Sequence, residues 1–99
     1  MIPSFPVAEL WFDPEADGAL TAVENDPSRR ELARRLHDEL DDLKSDPGAA
    51  SVRRHRFHQP GLWCITVVAG VQEWAILWEH HPADPDIVII HYLGPASFA

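Results

Sequence analysis

Leu32, Leu36, Leu40 and Leu43 recur at spacings of four, four and three along a stretch that is otherwise charged. This spacing sets them in one stripe of an α-helix. The other face carries Glu31–Arg35, Arg34–Asp38 and Arg35–Glu39, each spaced to pair one turn apart. Such a helix draws most of its stability from whatever covers the stripe, so the rest of the chain must supply an apolar surface. From residue 51 onward the pattern changes to short β-branched and aromatic runs. A helical half must therefore pack on a sheet, which makes the chain an α+β domain.

Punctuation residues divide these halves. Asp26-Pro27 opens the leucine helix, predicted over 27–44: an Asp side chain can accept unpaired N–H groups of the first turn, and Pro suits the first helical position. Asp13-Pro14 carries the same signal, and Ala16, Leu20 and Val23 continue it into a short helix over 14–24, weakened by Gly18. Before it, residues 7–12 read as a first strand. Ser45-Asp46-Pro47-Gly48 is a loop. Four strands follow, at 52–57, 62–68, 72–79 and 87–93, separated by Gln59-Pro60-Gly61, Ala69-Gly70 and the Pro-containing loop 80–86. Gly94-Pro95 ends the last one. The expected architecture is strand, helix, helix, then a four-stranded antiparallel meander, all in one domain over residues 1–99.

The net charge of −8 is uneven. Residues 1–50 hold 12 Asp/Glu against 5 Lys/Arg, whereas residues 51–99 hold 4 against 3 together with five of the six histidines. A negative field repels nucleic acid, so direct DNA binding by this chain alone is not expected, and RNA contact requires a local basic patch. The single cysteine, Cys64, rules out an internal disulfide. No run approaches the roughly 20 apolar residues of a membrane span. The N-terminus lacks the basic and apolar segments of a signal peptide, so the expected location is cytoplasmic.

The deduced order of elements resembles the RelE/ParE toxin superfamily of bacterial toxin–antitoxin pairs. Gly61-Leu62-Trp63-Cys64-Ile65-Thr66-Val67 is similar to that family's "glycine, any, aromatic, arginine, aliphatic" strand, and Trp74–Trp78 and Ile87–Tyr92 follow at similar spacings. The resemblance implies a toxin neutralised by an antitoxin protein. It further implies a metal-independent endoribonuclease acting on mRNA, with the ribosome as a further partner and with no cofactor. The chain departs from the pattern at Cys64, where the family commonly has arginine. It also has no arginine after Arg56, and it is acidic where those toxins are typically basic.

Arg53-Arg54-His55-Arg56 is the only basic cluster outside the long helix. Alternation places Arg54 and Arg56 on one face, where they would grip phosphate or simply protect an edge strand against stray pairing. Some ribonuclease toxins of the family carry a His-Tyr pair near the C-terminus, which makes His91 and Tyr92 the matching acid/base pair here. Cleavage through the RNA 2′-hydroxyl needs such proton movers beside cations on the phosphate. Adjacent strand residues point to opposite faces, so both can line one site only where the strand ends or bulges; otherwise His91 is a rim residue and Tyr92 a core one. The histidines, with Cys64 or Glu79, match no zinc spacing, and no metal site is assigned. Cys64 reads as an inert small hydrophobe, and Trp63, Trp74 and Trp78 read as core pairs rather than base-stacking platforms. The acidic run Asp38–Asp42 is a solvated helix face or a contact for a basic partner. Two functions follow: a toxin that cleaves mRNA or acts on a non-RNA target such as gyrase, and a non-enzymatic protein-interaction module on the same scaffold.

Overall fold

The two Asp-Pro pairs start helices where the sequence places them. In the computed structural model, which describes residues 8–47, the backbone of 55–56 and residues 62–96, α1 spans Pro14–Glu24. The second start is tighter than expected. A 3₁₀ turn over Pro27–Arg29 leads into α2 at Arg30–Ser45, and the Asp26 carboxylate accepts the Ser28 N–H at 3.0 Å. Of the charge pairs on the exposed face, Glu31–Arg35 forms at 3.0 Å, and Glu31 also binds Arg34 at 2.9 Å.

Five strands complete the fold: β1 at Glu9–Phe12, β2 at His55–Arg56, β3 at Trp63–Ala69, β4 at Gln72–His80 and β5 at Ile87–Pro95. They form one sheet in the order β1-β5-β4-β3-β2. β2 to β5 make the expected antiparallel meander. β1 joins the far side, parallel to β5, with Leu10 opposite Val88 and Phe12 opposite Ile90, so the sheet as a whole is mixed. Residues 7, 52–54 and 57 of the expected strands lie outside the described residues. The β3–β4 turn depends on Gly70, whose φ of 62° is accessible to glycine without a Cβ penalty.

Both helices lie on one face of the sheet, α1 against β5 and α2 against β3. Leu32, Leu36, Leu40 and Leu43 are all buried there with Ala16, Leu20 and Val23 of α1, against Ile65, Val67, Ile76, Trp78, Val88 and Ile90 of the sheet. Burying each leucine contributes roughly 1.5–3 kcal/mol, so the stripe is a principal source of stability. Trp74 and Trp78 are buried in this core, and Trp63 stacks on Trp78 at 6.3 Å. Trp63, Trp74 and Trp78 are therefore packing residues, whereas Trp11 is exposed. The Ala8 N–H donates to the Lys44 carbonyl at 2.9 Å, tying the start of β1 to the last turn of α2. No helix among the described residues is long and apolar enough to cross a membrane.

Candidate functional site

Pairing between β4 and β5 slips once. Glu79 lies opposite Ile89 and Trp78 opposite Ile90, but Leu77 lies opposite Tyr92. His91 is thus the extra residue, with no partner across the ladder. One inserted residue bends a strand and re-aims its side chains. His91 and Tyr92 consequently line the same shallow cavity of about 210 Å³, together with Glu15, Ala19, Trp74 and Gly94, where α1 passes over β5. The bulge meets the condition under which these neighbours can share a site.

His91 is held at both ring nitrogens. Nδ1 lies 3.1 Å from Oδ2 of Asp13, at the junction of β1 and α1, and Nε2 lies 2.8 Å from Oε1 of Glu79 on β4. A neutral imidazole has one N–H and an ionised carboxylate has none, so both contacts are hydrogen bonds at once only when the ring carries two protons or one of the carboxyls is protonated. The ring bridges the two carboxylates rather than converging with them on a point. About a third of the His91 side chain remains exposed. Tyr92 lies over Gly94, where a Cβ would come within 2.8 Å of the tyrosine oxygen, and its O–H donates to the Pro95 carbonyl at 2.7 Å.

Of the two arginines expected to bind phosphate, the structure describes only the backbone of Arg56. Arg54 lies outside the described residues. The backbone of Arg56 pairs with Trp63 on the opposite edge of the sheet. Three strand spacings separate β2 from β5, about 14 Å between backbones. Arg29, from the turn before α2, lies over the Trp74 ring at 5.8 Å and pairs with Asp26 at 3.5 Å.

The other polar features divide simply. Burial pushes the Cys64 thiol above its usual range, with a Thr66 hydrogen bond opposing, as expected of an inert strand cysteine. His80 Nδ1 donates to the Pro85 carbonyl at 3.1 Å, and His81 Nδ1 accepts the Ala83 N–H at 3.0 Å, so each serves its own loop. His37 joins the two helices through Glu24 at 2.7 Å. His58 lies outside the described residues. Asp38 and Glu39 line a groove of about 330 Å³ between α2 and β3, with Arg35, Thr66, Val67 and Val68.

Asp13 and Glu79 are the site residues that the sequence did not single out in this role. Asp13 carries the signal of a helix cap, yet its side chain makes no cap hydrogen bond. Its contact with His91 spans 78 positions, a separation no local pattern reports.

No protein-family model matches this sequence, and no curated protein matches it. Among solved structures, a double arginine-to-alanine variant of the Escherichia coli toxin RelE, in the free state, superimposes with a TM-score of 0.66 at 13% identity, over 94% of this chain and 87% of that one. At that identity the likeness concerns the backbone alone, and it shows that this chain has a RelE-like fold.

Proposed function

We propose that this chain is the toxin of a toxin–antitoxin pair and that it cleaves mRNA, with His91 and Tyr92 moving protons. The observation that supports this most is the RelE-like course of nearly the whole backbone, which is the fold that the sequence resemblance implied. The bulge at His91 adds to it by bringing His91 and Tyr92 to one cavity. In this reading Arg54 and Arg56 engage phosphate along the RNA. The test is cleavage of RNA by purified protein, free and on translating ribosomes, alongside Arg56→Ala and His91→Ala. Loss of cleavage in both variants is expected. Cleavage that persists unchanged in both removes this site, and growth arrest without cleavage points to a target other than RNA, such as gyrase.

A second reading, the non-enzymatic interaction module, is favoured by one observation: both His91 ring nitrogens already face carboxylates, which is also how a purely structural clasp is built. The two readings share the antitoxin partner. The groove between α2 and β3, with Asp38 and Glu39 beside Arg35 on its wall, fits a covering segment that carries Lys or Arg, since complementary charge guides encounter and partner choice. Complex formation with the product of a neighbouring antitoxin gene should weaken as salt is raised. Indifference to ionic strength sinks the electrostatic part of this proposal.

A further inference from the structure

Asp13 occupies the position before α1 where an aspartate ordinarily accepts N–H groups of the first turn, and its carboxylate caps nothing. It reaches His91 Nδ1 instead, at 3.1 Å. Both ends of its main chain are fastened beside that ring: the Asp13 N–H donates to the carbonyl of Ile90, and the Asp13 carbonyl accepts the Asp17 N–H, each at 2.9 Å. A residue that breaks the local rule while its backbone is fixed gains something elsewhere, and such breaks concentrate at functional sites.

We propose that Asp13 is a positioning residue for His91. It holds the proton on Nδ1 and fixes the plane of the ring, which leaves Nε2 as the nitrogen that faces Glu79 and exchanges protons there. The chemistry is that of an orienting carboxylate behind a proton-transferring imidazole. The groups around the ring are Asp13 from the β1–α1 junction, Glu79 from β4, and Glu15 and Tyr92 on the cavity wall. Of the two carboxylates in contact with the ring, Asp13 alone engages Nδ1. The role in catalysis rests on the ribonuclease reading; the hold on the ring does not.

Two variants test it. Asp13→Ser supplies a good helix cap but is too short to span to the imidazole. Asp13→Asn keeps the size and an acceptor oxygen without the charge. In Asp13→Ser the melting temperature should be unchanged or higher, while ring ¹⁵N resonances show the His91 proton leaving Nδ1. Turnover on RNA should fall by roughly 100-fold at little change in KM, a fall typical of losing effective general acid–base catalysis. Asp13→Asn should retain part of both signals. Ring nitrogens that are unchanged in Asp13→Ser overturn the proposal, as does a loss of turnover matched by a loss of melting temperature, which marks a structural role. If the parent chain cleaves no RNA but the ring resonances move, the ribonuclease reading falls while the hold of Asp13 on His91 stands.

Discussion

The two Asp-Pro helix starts are alike in sequence and opposite in use. Asp26 behaves locally: its carboxylate takes the N–H and hydroxyl of Ser28 at 3.0 and 2.7 Å and launches the helix that carries the leucine stripe. Asp13 leaves its helix uncapped and binds a histidine on the last strand. The first kind of contact is available to any chain with the right neighbours in sequence. The second exists only once β1 has paired with β5, because that pairing brings the β1–α1 junction beside the bulge. Identical local signals thus diverge where a tertiary partner competes for the same carboxylate.

The largest effect that would sharpen this contrast lies in the helix that Asp26 begins. Leu36 is fully buried, and Leu36→Ala should lower unfolding free energy by about 2–5 kcal/mol in urea denaturation. An unchanged midpoint would mean that the stripe is not core and that the Asp26 start serves nothing deeper. A smaller effect is expected beside Asp13. Gly94→Ala places a methyl where the Tyr92 ring lies, which should break the hydrogen bond to Pro95 and cost about 1 kcal/mol. Tyr92 is the only tyrosine in the chain, so its ring resonances report the displacement without ambiguity. Resonances that stay in place would show that the ring is not anchored at this cavity.

The smallest effect concerns the Asp26 cap itself. The Ser28 hydrogen bonds, aided by Arg29, hold the Asp26 carboxyl below its usual 3.8. A folded-state value below the unfolded one contributes stability above the unfolded value and loses it as pH falls through the folded one. Asp26→Ala should therefore be slightly less stable than the parent chain at pH 7, and the gap should close on acidification below pH 3.8. The capping distinction fails if the gap is independent of pH. Asp13→Ala should show no comparable loss of helix capping, since there is no cap to remove.

Elements set by near neighbours are legible in the amino-acid sequence. The leucine stripe, the Asp-Pro starts, the Gly70 turn and the four-strand meander all follow from periodicity and turn chemistry, which act over a few residues. His91 and Tyr92 are legible as candidates by type and place. Their sharing of one cavity is not, because a bulge changes register without a specific residue signature. The parallel seat of β1, the capture of Asp13 by His91 and the place of Glu79 on the other ring nitrogen were decided by tertiary structure alone. The physical reason is range. Periodicity reports which face a residue takes, whereas these contacts join positions distant in sequence, and only the packed sheet brings them within hydrogen-bonding distance.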